Sequence, residues 1–575
     1  ARAELAALDG LEDEILERSA RSALPDLAVL VVAPEAASAA YLPVRVLQAV
    51  LGARWSKGPR LWFLTRGAQA VPEDRPAAPL SVDQAALWGS ARVVAEEHPE
   101  LWGGLVDLDP ARPPSERLLG RHLLQGAAED QAALRGEERF ALRLVKASAG
   151  ESAARLAWRA DATYLVTGGL GDIGLRVARS MAEGGARRLL LLGRTPLPPR
   201  SEWRDAAPDT AAGRRIEAIR ALESAGVAVH TASVDVADEA ALRSFLDRWA
   251  AEGRPPIRGV VHAAGALDNH LAGAMSRSAF HAVLGPKLGG ARLLDRHLPD
   301  LDLFVLFSST GAFLAQPGQA NYAAANAGLD ALAHERRSRG RPALSVQWGV
   351  WESTGLVRGD AGARNVAEMA RRGIGAFSPD RGTELFAWLS TRAGGVVAVV
   401  PLDVAVFRRS RGGRDCPLVR DLAQGGDGSA ASAPELQERL AKGTAAERRT
   451  LIEGVVRECV GKVLKIAPAR LDPRKPLGSM GLGSLLSMEL RNRLEAALGR
   501  ALPATLAFNH PTIAALVEHL ARSSGEADAP SPTLRAGPDE PRPGLVRAEQ
   551  LRQITELSEE EASRALRSRR DRSTP

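Results

Sequence analysis

Tyr164-Leu165-Val166-Thr167-Gly168-Gly169-Leu170-Gly171-Asp172-Ile173-Gly174 reads as a short apolar strand, a glycine turn and the opening of a helix. Gly169 to Gly174 fits the G-x-G-x-x-G fingerprint, and the strand before it and the helix after it give that short motif its meaning. Glycines let the backbone close on a pyrophosphate, and a helix N-terminus offers it free N–H groups and a partial positive charge. A dinucleotide is therefore the expected ligand of Gly168, Gly169, Leu170, Gly171, Asp172, Ile173 and Gly174. The next strand, Arg188-Leu189-Leu190-Leu191-Leu192, ends at Gly193-Arg194, where a cofactor without a 2'-phosphate would favour an acidic residue. The planar fork of Arg194 suits a phosphate and argues for NADPH over NADH, the other reading being a surface arginine after a strand.

Outward from this stretch, buried strand, glycine turn and helix repeat from Tyr164 to about Leu402, as a parallel sheet with helices on both faces requires. Upstream, the strand-like Leu27-Ala28-Val29-Leu30-Val31-Val32 and Leu61-Trp62-Phe63-Leu64 alternate with helical patterns. No glycine loop follows that first strand, so the half-Rossmann shape expected for this region lacks a pyrophosphate cradle and is expected to be structural. Downstream, the run from about Gln424 to Pro434 has a linker composition, and amphipathic helices follow. The expected division is a linker helix at 1–20, a structural subdomain at 21–160 and a catalytic subdomain at 161–422. After it come a flexible linker at 423–445, a helical domain at 446–522, a second linker at 523–546 and a C-terminal helix at 547–575. That last helix opens on a capping box, Ser558 to Glu561, and reads either as a docking segment or as a frayed tail.

At 575 residues the chain is too long for one core, and usual domain sizes suggest roughly three or four units. The charge of +6, from 75 basic and 69 acidic residues, is a mixed surface rather than a basic field. With three tyrosines, at 41, 164 and 322, stacking platforms are hard to assemble, and nucleic acid is not an expected partner. Cys416 and Cys459 have no paired spacing, so neither a disulfide framework nor a metal site is expected, and a reducing cytoplasm fits. No apolar run approaches the ~20 residues a membrane span needs. The start Ala1-Arg2-Ala3, without an initiator Met or signal core, reads as part of a larger polypeptide.

Asn321-Tyr322-Ala323-Ala324-Ala325-Asn326 has the shape of the Tyr-x-x-x-Lys motif of short-chain dehydrogenase/reductases, with asparagine in the lysine position. The lysine stands about one helix earlier, in Pro286-Lys287-Leu288-Gly289-Gly290, and Ser309 lies in Phe307-Ser308-Ser309-Thr310-Gly311. Singly these are a lysine on a solvated face, a serine in a turn and a capping asparagine; as a set behind a nucleotide fingerprint they resemble the ketoreductase domains of modular polyketide synthases. Gly481-Leu482-Gly483-Ser484-Leu485-Leu486-Ser487-Met488-Glu489-Leu490-Arg491-Asn492-Arg493-Leu494 in turn resembles the phosphopantetheine attachment site of an acyl carrier, although Gly483 replaces the usual aspartate. The missing acidic contact bears on recognition by the modifying transferase.

The resemblance implies an α/β fold, a doubly wound Rossmann-type ketoreductase with structural and catalytic subdomains, followed by a small all-α four-helix carrier. It implies that Tyr322 gives its proton to the nascent alkoxide, that Ser309 polarises the carbonyl, that Lys287 favours the phenolate and that Asn326 holds the lysine and a relay water. Val234-Asp235-Val236 resembles the family's adenine contact, with Asp235 and Val236 as its residues, and His262, Ala263, Ala264 and Gly265 its loop beneath the nicotinamide ribose. Leu87 to Arg92 and Glu97 to Leu108 resemble its structural subdomain, and residues 352–376 a lid. Trp351 reads either as packing or as a substrate contact.

Leu267-Asp268-Asn269 stands where ketoreductases giving D-configured alcohols carry Leu-Asp-Asp, and Leu314 stands where the opposing type carries tryptophan, which together point to a D-configured product. The implied cofactors are NADPH and 4'-phosphopantetheine on Ser484. The implied partners are a phosphopantetheinyl transferase, the ketosynthase and acyltransferase of the same module, a downstream module and a second copy in a homodimer. The expected reaction is reduction of a β-ketoacyl thioester on the carrier; the alternatives are a silent scaffold that binds carrier without turnover and a free-standing alcohol dehydrogenase, which would have no use for Ser484.

Overall fold

The computed structural model describes residues 28–33, 37–52, 58–71, 80–124, 129–147, 158–352, 354, 359–390, 394–411, 416–425, 444–464, 466–482, 484–498, 502 and 506–522. The helices expected at 1–20 and 547–575, the linker at 523–546 and most of the linker at 423–445 lie outside the described residues.

The first sheet runs in chain order: β1 (Ala28–Val32), β2 (Arg60–Arg66), β3 (Trp102–Leu108), β4 (Gln131–Arg135) and β5 (Glu138–Ala141). Its first three pairings are parallel and the last is an antiparallel hairpin. Helices α1 (Leu42–Gly52), α2 (Val82–Glu97) and α3 (Glu116–Leu124) connect the strands. Helix α2 is buried almost all round, as a helix caught between two layers must be. Trp88 Nε1 donates to Thr65 Oγ1 at 3.0 Å and fixes it to β2. On its other face Gly89 permits a close crossing: a Cβ there would stand 2.2 Å from the carbonyl oxygen of Ala323, so any side chain would push the two layers apart.

The second sheet comprises β6 (Thr163–Thr167), β7 (Arg188–Gly193), β8 (Ala228–Ser233), β9 (Ile257–His262), β10 (Leu303–Ser309), β11 (Leu344–Trp348) and β14 (Gly395–Val399), and β12 (Val350–Trp351) pairs separately with β13 (Ala376–Phe377). Its order is β8-β7-β6-β9-β10-β11-β14, parallel throughout. Every residue of β6 is buried, and each aliphatic side chain so removed from water contributes about 1.5–3 kcal/mol. Helices α4 (Asp172–Glu183), α5 (Ala211–Ser224), α6 (Glu239–Ala251), α7 (Arg277–Leu284), α8 (Gly290–His297), α9 (Ala320–Ser338), α10 (Gly359–Arg371), α11 (Pro379–Ser390) and α12 (Val404–Ser410) complete this α/β layer. Thr210, Asp238, Ser276 and Asp403 cap α5, α6, α7 and α12 through side-chain oxygens, each cap contributing about 1 kcal/mol. Strand order reverses between β6 and β9, and in a doubly wound sheet the ligand crevice opens beyond the carboxyl ends at that point.

The expected all-α domain is present as α13 (Ala445–Leu464), α14 (Ser484–Leu498), α15 (Leu506–Asn509) and α16 (Ile513–Arg522), packed around Ile452, Val456, Leu490, Leu494 and Leu516. Thr444 and Glu447 form a reciprocal capping box at the start of α13, with Thr444 N donating to Glu447 Oε2 at 2.7 Å. No helix among the described residues is long and apolar enough to cross a membrane.

Candidate active site

A cleft of about 1200 Å³ opens at the strand-order reversal, lined at one end by the glycine loop and at the other by Ser309, Tyr322 and Trp351. Gly168 has φ 67°, the left-handed region that favours glycine, and a Cβ there would stand 2.9 Å from the carbonyl oxygen of Ala263. A Cβ on Gly174 would stand 2.2 Å from the Gly168 carbonyl, so the turn closes on α4 only because both are glycine. This cradle fits a pyrophosphate at the N-terminus of α4. Leu170, Gly171, Asp172, Ile173, Arg194, Asp235, Val236, Ala263, Ala264 and Gly265 line the same cleft. Gly169 does not; it packs beneath the loop, where a Cβ would meet Val166 O at 2.7 Å. Sequence reasoning missed Arg215, which lines the same cleft as Arg194 and offers a second guanidinium for a phosphate.

His262 departs from expectation. Its ring is fully buried behind the cleft, between Thr167 Oγ1 at 2.8 Å and the Lys287 carbonyl oxygen at 2.7 Å, so it holds the lysine's turn rather than a ribose. Burial, aided by the Lys287 charge, pushes this imidazole down to about 4.

Lys287 sits in the wide turn Gly285–Gly289, a π-type turn between α7 and α8 of the kind found at functional sites. Its side chain is buried, and Nζ donates to the Phe307 carbonyl at 2.9 Å and lies 5.2 Å from the centroid of the Tyr322 ring. A methyl group built on Gly311 would lie 3.5 Å from Ser309 Oγ and 3.6 Å from the Tyr322 ring, so serine and tyrosine adjoin on one patch of the cleft floor. Asn326 does not reach the lysine: its Nδ2 donates to the Tyr322 carbonyl at 2.8 Å, within its own helix, and Phe307 takes the place expected of it. The Asn326 Oδ1 is buried without a protein partner and suits a water molecule there.

On the substrate side, Asn269 and His270 line the cleft, whereas Asp268 is not among its lining residues and its carboxylate accepts from His270 Nε2 at 2.8 Å. The Asp268 backbone carbonyl is tied to the start of α9 by Asn321 Nδ2 at 2.7 Å. Leu314 lines the cleft, and Trp351 does so from within an aromatic cluster with Trp348 and Phe377, so it packs and faces the cleft at once. Of the expected lid, Gly362, Asn365, Glu368, Met369 and Arg372 border the cleft.

Two further positions were not read from sequence. Glu97, at the end of α2, is buried and accepts backbone N–H groups of Gly318 at 2.7 Å and Ala272 at 2.8 Å, gripping both loops that flank the substrate end. Glu96 pairs with Arg372 at 3.0 Å, and Arg372 donates to Gln316 Oε1 at 2.6 Å in the cleft wall. His98, expected to be structural, is buried and bonded to Glu100 at 3.0 Å. Ser484 opens α14, and no group of side chains able to hold a metal occurs among the described residues.

Comparison with known proteins accounts for this arrangement. Residues 162–353 match the KR domain family, residues 454–520 the phosphopantetheine attachment site family, and residues 2–144 the Rossmann fold domain of the polyketide synthase extender module SpnB. A phenolphthiocerol/phthiocerol polyketide synthase of Mycobacterium tuberculosis is 37% identical over 480 residues, 80% of this chain and 24% of that protein. A pikromycin polyketide synthase component of Streptomyces venezuelae is 38% identical over 84% of this chain and 31% of its own length. The chain thus spans about a quarter to a third of these curated relatives. Among solved structures, the ketoreductase from the first module of phoslactomycin biosynthesis in Streptomyces sp. HK803 superposes with a TM-score of 0.59 at 32% identity, covering 72% of this chain and 93% of that one.

Proposed function

The chain belongs to the polyketide synthases, as a ketoreductase with its carrier, and we propose that it reduces a β-ketoacyl thioester held on phosphopantetheine at Ser484, using NADPH, to a D-configured 3-hydroxyacyl thioester. The observation that carries this reading is the placing of Lys287, Tyr322 and Ser309 together at one end of a cleft whose other end is a dinucleotide loop. A reduced nicotinamide dinucleotide bound there would supply hydride to the carbonyl carbon. Negative charge then builds on the carbonyl oxygen, and this chain's residues must receive it.

Ser309 donates a hydrogen bond to that oxygen, and Tyr322 transfers its phenolic proton to it. The Lys287 ammonium, anchored by the Phe307 carbonyl, favours the negative charge left on the tyrosine. A water seated at Asn326 Oδ1 begins the path by which the proton is restored. Arg194 and Arg215 favour a cofactor with a 2'-phosphate. The glycine pair in the loop and the helix dipole of α4 orient the pyrophosphate, and Asp235 and Val236 border the adenine end.

Asn269 in the cleft keeps an acceptor where the D-producing type has a carboxylate, and Leu314 supplies no tryptophan to steer the pantetheine arm to the opposite side. Chiral chromatography of the hydrolysed product tests this, and a predominantly L-configured alcohol would refute the stereochemical reading. Serving a tethered substrate, the chain is further read as a partner of a phosphopantetheinyl transferase and of the ketosynthase and acyltransferase of its module. Intact-mass measurement of the wild type and Ser484→Ala after incubation with such a transferase tests the attachment site.

A further inference from the structure

Helix α14 carries a polar stripe at four-residue spacing, Ser487, Arg491 and Glu495, whose members are 3%, 1% and 0% exposed. A buried guanidinium needs acceptors around it, because a buried charge stripped of its partners is strongly destabilising. Arg491 finds Glu495 Oε2 at 3.8 Å within its own helix and, across to the reductase, the Glu96 carbonyl oxygen at 2.9 Å. That carbonyl belongs to the last turn of α2, where backbone oxygens lack intrahelical partners and carry the negative end of the helix dipole. A cation from the carrier thus caps a helix of the reductase, and α12 lies against α14 beside it.

The same turn is joined to the cleft. The Glu96 carboxylate holds Arg372 and Arg411, each at 3.0 Å, and Arg372 reaches Gln316 in the cleft wall. Glu97, next in sequence, grips the amides of Gly318 and Ala272. Ser484 opens the same helix about two turns before Arg491, about 10 Å along the axis. The contact therefore brings the carrier helix that begins at Ser484 against the element that grips the loops at the substrate end of the cleft.

We propose that the C-terminal turn of α2, with Arg372 and Arg411 around it, is the docking site of the chain's own carrier helix, entered by Arg491. Docking there registers the carrier for delivery of its thioester. The proposal rests on the reading that the carrier-borne β-ketoacyl group is the substrate, and its test separates the two.

The full chain is phosphopantetheinylated and loaded with an acetoacetyl group, and its reduction by NADPH is timed in single turnover by intact mass. The same proteins are assayed with acetoacetyl-N-acetylcysteamine, a diffusible thioester that needs no docking. Arg491→Met removes the donor and keeps volume; it should slow reduction of the carrier-borne group on the order of tenfold, as the loss of a charged hydrogen bond implies, and leave the diffusible substrate unaffected. Arg491→Lys, which keeps a cationic donor, should recover most of the rate. Arg411→Met alters only the reductase side, leaves the carrier's own packing intact and should act in the same direction; it decides the matter should Arg491→Met prevent loading of Ser484. Wild-type rates on the carrier-borne group in Arg411→Met and any loadable Arg491→Met, or equal losses on both substrates, would overturn the docking site. A wild type that reduces neither substrate would overturn the reductase reading itself.

Discussion

Lys287 Nζ lies over the Tyr322 ring, 5.2 Å from its centroid, although the two residues are carried by different elements and the lysine comes from a turn rather than from the tyrosine's helix. The Phe307 carbonyl, two residues before Ser309, holds the ammonium in that place. One backbone oxygen thereby ties the positions of the lysine and the serine together.

Lys287→Met should therefore lower kcat on the order of a hundredfold, within the range general acid–base groups contribute, while leaving the dissociation constant for NADPH within a few-fold. Stopped-flow turnover and fluorescence titration of NADPH check this. A parallel loss of cofactor binding would show that the lysine serves the nucleotide rather than the tyrosine.

Arg194 and Arg215 both line the cleft, so neither single substitution removes its arginine charge. The double variant Arg194→Ala/Arg215→Ala should raise the KM for NADPH by more than about tenfold and that for NADH by far less, as loss of charge-assisted hydrogen bonds to one phosphate implies. Equal changes for both cofactors would remove the 2'-phosphate assignment.

His262 gives a pH dependence with a definite sign. Its folded-state value of about 4 lies below the ~6.5 of an unfolded histidine, so between those values the unfolded chain binds the additional proton and stability falls as pH falls. The contribution lost is about 3 kcal/mol across that window. Thermal unfolding of the wild type and His262→Gln between pH 4 and 7 should show a shallower pH slope in the variant; identical slopes would contradict the assignment.

Glu97→Gln replaces one acceptor oxygen with an NH₂ group facing a backbone N–H, leaving either Gly318 or Ala272 unpaired. A cost of about 1–3 kcal/mol and a loosened substrate end follow. A lowered Tm together with a broadened ratio of alcohol stereoisomers, at unchanged NADPH affinity, is the expected result.

The parts of this architecture that were legible in sequence are those whose causes are local. A buried strand followed by glycines and a helix announces itself within the eleven residues from Tyr164 to Gly174, and the repeat of that pattern specifies the doubly wound sheet. Contacts made at long range left no such mark. Glu97 reaches Gly318 across 221 positions, and nothing around it distinguishes a clamp from an ordinary helix-end carboxylate. Arg215 lies on a helix rich in arginine, where only the fold selects the one that faces the cleft. A motif match carries no information on which way a side chain turns: His262 is buried behind the cleft, and Asp268 is bonded to His270 and absent from the cleft lining.

Reduction on the carrier is the central claim. The full chain, loaded at Ser484 with an acetoacetyl group and mixed with NADPH, should gain the mass of two hydrogen atoms on the carrier as NADPH is consumed, and Tyr322→Phe, loaded equally, should not. An unchanged carrier mass in the wild type, with NADPH intact, would contradict the account.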